Sequence, residues 1–258
     1  MKSLKELYAY RQMIVGLVRM DLRGRYKGSV LGFLWTFINP LLQLLVYTLV
    51  FSIIMKSGIE KYYVYLFVCL VPWLFFSSSV TEGATCITRY KEMVSKIYFP
   101  REVLPISVVT SGFVNMLFCF IVIFAVLLIS GFGINPVAVL YLPIIMIVEY
   151  ILSLGFAMIT AGLTVYFRDL AYILGIITMA WMYVTPIFYS VDMVPEKFQW
   201  AIKVNPMTSV IEAYREILYY KQIPDLSNLG LALGIGVLIL VIGIFVFHRL
   251  QKGFAEEM

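Results

Sequence analysis

The sequence has few charged residues. Of its 258 residues, 14% are charged and 62% are hydrophobic, whereas soluble domains carry about 25% and about 45–50%. One compact domain cannot hide so large an apolar excess, because a folded chain of this length still exposes roughly a quarter to a third of its extended surface. The composition therefore excludes an ordinary soluble globule and indicates a protein solvated by lipid.

Histidine and cysteine are nearly absent. His248 is the single histidine, and Cys69, Cys86 and Cys119 lie in or beside apolar runs without paired spacing. This excludes a Ser-His-Asp arrangement and argues against a disulfide framework or a metal site. No glycine-rich loop is followed by Lys and Ser or Thr, so the usual nucleotide site is missing. We predict no catalytic residue, no metal and no cofactor bound by this chain.

What the sequence does contain is long apolar runs. They predict an all-α polytopic membrane protein with six transmembrane helices, at residues 31 to 55, 63 to 82, 103 to 130, 137 to 166, 171 to 189 and 228 to 247. Pro72 interrupts the second run and Pro186 lies at the end of the fifth, so kinks or partly unwound turns are expected at both. The first run follows a long charged segment, which argues against a cleavable signal peptide.

The basic residues predict the orientation. An even number of spans puts both termini on one side of the membrane, and the segments on that side hold 14 of the 20 Lys and Arg residues. The other six are Lys56, Lys61, Lys197, Lys203, Arg215 and Lys221. Because cytoplasmic loops are enriched in Lys and Arg, both termini are expected in the cytoplasm. The net charge of +5 then indicates contact with a membrane surface, not nucleic acid.

Three segments outside the spans have patterns of their own. In residues 1 to 28, apolar side chains recur at helical spacing, which predicts a helix in the cytoplasmic interface that is either a lipid anchor or a specific contact. Residues 83 to 102 predict a short cytoplasmic helix or a solvated loop. Residues 190 to 227 are divided by prolines into two pieces too short to span, which favours re-entrant or interfacial helices. The apolar face predicted for the first segment comprises Leu4, Leu7, Tyr8, Ile14, Val15, Val18 and Leu22.

Glu149 is the one ionisable residue well inside a predicted span. Such residues are costly in lipid and are therefore functional candidates, although a hydrogen-bonded helix contact explains Glu149 equally well. Aromatic residues make up 16% of the chain. Most are expected in interfacial belts or helix packing, and a subset could line a conduit whose flat rings suit sugar faces.

Several motifs resemble one transporter family. The stretch from Asp21 to Pro40 (DLRGRYKGSVLGFLWTFINP) resembles the start of the membrane subunit of ABC exporters for O-antigen, capsule and teichoic-acid polysaccharides. Later motifs of that family are matched by Tyr166-Phe-Arg-Asp-Leu170, Thr185-Pro-Ile-Phe-Tyr189, and Asn205-Pro-Met207 leading to Tyr214-Arg215. The resemblance covers essentially the whole length, and the chain is expected to be one exporter transmembrane domain, residues 1 to 258.

The resemblance implies partners and site residues. Two copies would form a conduit in the bacterial cytoplasmic membrane, two copies of a separate ABC ATPase would bind ATP and Mg²⁺, and the cargo would be a polyprenyl-pyrophosphate-linked polysaccharide. Residues at the ATPase contact would be Arg89, Tyr90, Lys91, Glu92, Met93, Val94 and Lys96. The pyrophosphate is expected near Arg23, Arg25 and Lys27. Conduit aromatics would be drawn from Trp35, Phe37, Tyr47, Trp181, Tyr183, Phe188 and Tyr189.

Other functions remain open on the sequence. An ABC permease for a drug or lipid shares the six-span plan. A proton-coupled carrier would depend on Glu149. A membrane transferase acting on lipid-linked sugars would need an acid or base near the cytoplasmic mouth. The residues that could supply one are Asp21, Glu82, Glu92, Glu102 and Asp169.

Overall fold

The chain forms a bundle of helices in the computed structural model, which describes residues 2–25, 27–54 and 58–254. These ranges contain helices and no strands, which confirms the all-α class. The helices, α1 to α12, are Lys2–Ala9, Arg11–Gly24, Trp35–Thr48, Tyr62–Arg89, Lys91–Lys96, Val103–Ile129, Pro136–Val139, Leu142–Tyr166, Leu170–Val184, Glu196–Val204, Pro206–Arg215 and Leu226–Leu250. Three residues that entered the sequence predictions, Tyr26, Met55 and Lys56, lie outside the described ranges.

The described residues include five helical segments long and apolar enough to cross a membrane. They are Gly32–Ser52, Tyr62–Arg89, Val103–Ile129, Pro136–Tyr166 and Leu226–Gly253. The chain is therefore a multi-pass membrane protein. α9, where the fifth span was predicted, is apolar but has 15 residues. At 1.5 Å per residue it is about 22 Å long, less than the roughly 30 Å hydrocarbon core.

α4 is the central helix and differs most from the prediction of residues 63 to 82. It continues through Pro72 and ends at Arg89, so the partly unwound turn expected at Pro72 is not present. α3, α6, α8 and α9 all pack on α4, and such neighbours support a proline-containing helix in a membrane. The segment predicted as cytoplasmic, residues 83 to 102, therefore begins inside α4.

α9 ends two residues before Pro186. Its last residue is Val184, and Thr185 adopts an extended conformation with φ −79° and ψ 133°. Such a conformation is favoured before proline, because the ring clashes with a preceding helical residue. The last five residues of the predicted fifth span, 185 to 189, thus lie beyond the helix.

α8 and α12 pack at backbone distance. A Cβ at Gly155 would lie 2.7 Å from the backbone nitrogen of Leu240, and a Cβ at Gly243 would lie 2.6 Å from the carbonyl oxygen of Gly155. Small residues allow this approach, and in lipid it supplies the packing that holds helices together. Glycine is therefore required at both positions.

The N-terminal segment is two helices that meet at Tyr10. α2 packs along α6, and Leu17, absent from the predicted apolar face, is its buried contact at 6% exposure. Tyr8 and Val15, both predicted on that face, are 69% and 43% exposed. The face toward the bundle is thus rotated from the predicted one, because Leu17 follows Tyr10 and Ile14 at helical spacing.

Candidate functional site

Arg25 lies at the centre of an ion-pair network near one end of the helix bundle. Its Nη1 and Nη2 donate to the two carboxylate oxygens of Glu82 at 3.1 and 2.6 Å, and its Nε donates to Asp21 Oδ2 at 2.9 Å. Asp21 also accepts a hydrogen bond from Ser111 Oγ and lies 3.7 Å from Arg89 Nη1. The network joins the end of α2 to α4 and α6.

This network lies inward from the helix ends, within the bundle. Glu82 is seven residues before the end of α4, which corresponds to about 10 Å along the axis. Burial by itself lowers the pKa of Arg25, but the carboxylates of Glu82 and Asp21 outweigh burial and leave that pKa above its ordinary value. The guanidinium is therefore held firmly in its charged form.

A polar groove of about 220 Å³, which we call the membrane groove, extends from this network between α3, α4 and α6. Thr36, in its wall, is 2% exposed, and its Oγ1 has no hydrogen-bond partner among the described residues. Polar side chains within a bilayer usually mark a pathway or a binding site. The polar residues that line the groove are Arg25, Thr36, Asn39, Gln43, Ser78, Glu82 and Asn115.

The three predicted pyrophosphate residues do not converge. Arg25 faces the acids of the network, whereas Arg23 and Lys27 are exposed. Asp21, Arg25, Glu82 and Arg89 together carry no net charge, so the network as it stands has no excess positive charge for an anion.

A second group of polar contacts fixes the C-terminal end of α9. Asn205 Oδ1 accepts from Trp181 Nε1 at 3.1 Å and from the backbone N–H of Met207 at 3.1 Å, while its Nδ2 donates to Thr185 Oγ1 at 3.0 Å. Asn205 therefore caps α11 and binds the end of α9 at the same time. Two of the motifs that carry the family resemblance meet at this one side chain.

Arg215 and Tyr62 hold the turn that follows α9. Arg215, 3% exposed, donates to the carbonyl oxygens of Pro186 and Ile187 and stacks 4.0 Å above the ring of Tyr65. Tyr62 Oη donates to the carbonyl oxygen of Phe188 at 3.0 Å. Three successive carbonyls are thus bound by α4 and α11, so the turn after α9 is fixed to both helices.

Phe188 is at the centre of a cluster of aromatic side chains. Its ring centroid lies 5.0 Å from Tyr47, 4.6 Å from Phe51 and 5.5 Å from Tyr183. Tyr189 Oη donates to the carbonyl oxygens of Tyr183 and Val184. The C-terminal halves of the first predicted span and of α9 therefore meet through aromatic rings.

The other three predicted conduit aromatics lie apart from this cluster. Trp181 is turned into the core, with ring centroids 5.1 Å from Phe76 and 5.3 Å from Phe156. Trp35 lines the membrane groove, and the ring of Phe37 packs edge-on against Phe33. The seven aromatics do not form one continuous surface within a single chain.

Glu149 and Tyr214 form a buried pair. Both are 0% exposed, and Tyr214 Oη donates to Glu149 Oε2 at 2.7 Å. The other carboxyl oxygen, Oε1, has no partner among the described residues. The contact joins α8 to α11. This agrees with the interpretation of Glu149 as a hydrogen-bonded helix contact.

The short helix α5 presents charge outward and apolar residues inward. Lys91, Glu92 and Lys96 are exposed, and Lys96 Nζ lies 3.5 Å from Glu92. Val94 is 7% exposed and packs in the smaller of two buried apolar clusters, against which Tyr90 and Met93 also lie. Arg89, the remaining one of the seven predicted ATPase-contact residues, is the last residue of α4 and pairs with Asp21.

The sequence reasoning overlooked the amide side chains of the groove. Asn39 and Gln43 lie within the first predicted span and Asn115 within the third. The rule that selected Glu149, a polar group inside an apolar run, would have found them if amides had been counted with carboxylates. The pairing of Arg25 with Glu82 left no such signal, because it joins residues 57 positions apart.

These features define an all-helical, multi-pass membrane protein. It has a polar groove between its helices and a turn after α9 that is held by hydrogen bonds from α4 and α11. The chain belongs to the ABC-2 type transporter family of membrane proteins, whose pattern matches residues 12–219. It is thus a transport component, and the expected resemblance is confirmed.

Full-length relatives agree with this assignment. The chain is 33% identical over 262 residues to the O-antigen export system permease protein RfbA of Myxococcus xanthus, covering 100% of this chain and 99% of that protein. It is 34% identical over 244 residues to the protein of the same name from Klebsiella pneumoniae, covering 95% and 94%. The capsule polysaccharide export inner-membrane protein CtrC of Neisseria meningitidis is more distant, at 20% identity over 259 residues and coverage of 97% and 95%.

Proposed function

We propose that the chain is the membrane subunit of an ATP-driven exporter that moves a lipid-linked, O-antigen-like polysaccharide across the bacterial cytoplasmic membrane. The observation that carries the proposal is the full-length similarity to O-antigen export permeases at 33–34% identity. The membrane groove supports it, because hydroxyl-rich cargo needs polar contacts inside the bilayer. Two copies of the chain would form the conduit, with two ABC ATPase subunits that bind ATP and Mg²⁺.

In this proposal α9 is the fifth of six spans and the termini are cytoplasmic. Although α9 is short, the bound turn after it and the helices α10 and α11 extend the structure beyond Val184. α11 is 10 residues long, and its buried residues pack on α4, α8 and α12. These are the properties of a re-entrant helix, and α1 and α2 would form the interface helix.

Energy would enter through α5. Its charged face, Lys91, Glu92 and Lys96, would meet the ATPase, while Val94 anchors the helix to the core. ATP-driven closure of the two ATPases would push α5 and, through Arg89 and Asp21, shift the mouth of the groove. The outer aromatic cluster around Phe188 would then separate between the first span and α9.

The alternatives have less support. A transferase needs an accessible acid or base near the mouth. Asp21 and Glu82 bind Arg25, and Glu102 lies 3.3 Å from His248, which leaves only the exposed Glu92 and Asp169 of the five candidates. A proton-coupled carrier depends on Glu149, which is enclosed and bound by Tyr214.

A deletion experiment in the host bacterium tests the proposal. Deleting the chain should abolish surface polysaccharide and leave lipid-linked polymer inside the cell. Wild-type chain should restore export only when the partner ATPase has an intact nucleotide site. Continued export without the chain, or with an inactive ATPase, would contradict the proposal. A drug or lipid permease would leave the polymer in place and change the export of that other cargo.

A further inference from the structure

The ion pair of Arg25 and Glu82 forms part of the wall of the membrane groove. Both residues line the groove, whereas Asp21, the other acid bound to Arg25, does not. Glu82 takes both terminal guanidinium nitrogens, at 3.1 and 2.6 Å. Of the two acids bound to Arg25, Glu82 is therefore the one that borders the groove.

The groove beyond this pair suits a polar ligand. Its volume of about 220 Å³ corresponds to roughly seven waters at about 30 Å³ each. The amides of Asn39 and Gln43 offer donors and acceptors along it, and Gln43 Nε2 donates to Asn39 Oδ1 at 3.2 Å. Thr36 Oγ1, in the wall, is buried without a partner among the described residues, which is a costly arrangement.

The geometry around Arg25 matches a phosphate as well as a carboxylate. A guanidinium binds either group through two parallel hydrogen bonds. Because the four charges of the network cancel, an arriving anion gains little from long-range attraction and must compete with Glu82 for Arg25. A ligand with two linked phosphates offers more negative oxygens than one carboxylate and can win this competition.

We propose that Glu82 is a resident anion that a lipid diphosphate headgroup replaces on Arg25, and that this exchange opens the groove to the sugar attached to that headgroup. The exchange is a change of ion-pair partner, in which no covalent bond forms or breaks. The inference rests on the proposed export function and adds to it the residue that controls entry.

Binding measurements on the full-length chain in nanodiscs of neutral lipid test the exchange, with farnesyl diphosphate as the probe. Glu82→Gln should raise the affinity at least about tenfold, because it removes one negative charge about 5 Å from the ligand. Arg25→Gln should lower the affinity by a similar factor. Glu92→Gln removes an exposed charge on α5 and should leave the affinity unchanged.

A second variant and a second probe make each result of the binding measurements decisive. If Glu82→Gln does not fold, Glu82→Asp keeps the charge but shortens the reach, and its affinity should rise a few-fold. Equal or weaker binding by a folded Glu82 variant would overturn the inference. Inorganic pyrophosphate binding as tightly as farnesyl diphosphate would also overturn it, since the site would then serve a free anion. The deletion experiment judges the export function separately, because polymer export can persist when these affinities do not change.

Discussion

The contact between Tyr214 and Glu149 provides a quantitative test of how α11 is held. Tyr214→Phe removes the 2.7 Å hydrogen bond and leaves both carboxyl oxygens without a donor among the described residues. The substitution keeps the ring and its packing. Its effect therefore reports mainly the lost hydrogen bond.

Two measured ranges set the size of this effect. Hydrogen bonds between membrane helices average about 0.6 kcal/mol and reach about 1.7 kcal/mol, whereas leaving a buried acceptor without a partner costs about 1–3 kcal/mol. Because both side chains are 0% exposed and the carboxyl group has a single donor, we expect a loss of about 1.5–2 kcal/mol. At about 2–4 °C per kcal/mol for a chain of this size, Tm should fall by about 3–8 °C.

The assay is thermal unfolding of the purified chain, followed by tryptophan fluorescence. Tyr172→Phe is the matched control, because Tyr172 is 80% exposed and its Tm should not change. Glu149→Leu alone and combined with Tyr214→Phe completes a double-mutant cycle that isolates the pair. A Tm for Tyr214→Phe within 1 °C of wild type would refute the reasoning. Glu149→Gln should keep ATP-driven export, whereas a proton-coupled carrier would lose its transport.

Three more predictions follow from the packing and the exposed charges. Gly243→Ala should cost about 1–3 kcal/mol, because its Cβ would meet the backbone of α8, while Gly234→Ala, with nothing described within 4 Å, should be neutral in the same unfolding assay. Asn205→Ala should speed hydrogen exchange at the end of α9 by about tenfold or more, since three hydrogen bonds are lost; unchanged exchange would refute its role. Combined Lys91→Glu and Lys96→Glu should uncouple ATP hydrolysis from export without preventing insertion, and normal coupling would remove α5 from the ATPase contact.

The sequence predicted the helices but not the partners of the polar residues. Apolar runs located five segments able to cross a membrane, because lipid requires long hydrophobic stretches whatever the neighbouring helices are. The length of α4 was underestimated, since Glu82 and the polar residues after it resemble the end of a span. In the fold, Glu82 is neutralised by Arg25, and the helix continues to Arg89.

The family motifs identified the right residues without showing what they do. Thr185, Asn205 and Arg215 were notable only through resemblance, and their hydrogen bonds to one another's segments depend on how α9 and α11 fold back. A pattern along the chain contains no distance between such residues. The same limit explains the basic cluster, where the sequence indicated three cations and the structure pairs Arg25 with two acids.

Transport by a reconstituted complex tests the central claim most directly. Proteoliposomes containing the chain and its partner ATPase, supplied with polyprenyl-diphosphate-linked polysaccharide, should move the polymer to the opposite side when ATP is added. Movement should stop when either subunit is left out or the ATPase site is inactivated. Movement of the polymer by the chain alone, or no movement by the full complex while it exports a different cargo, would contradict the account.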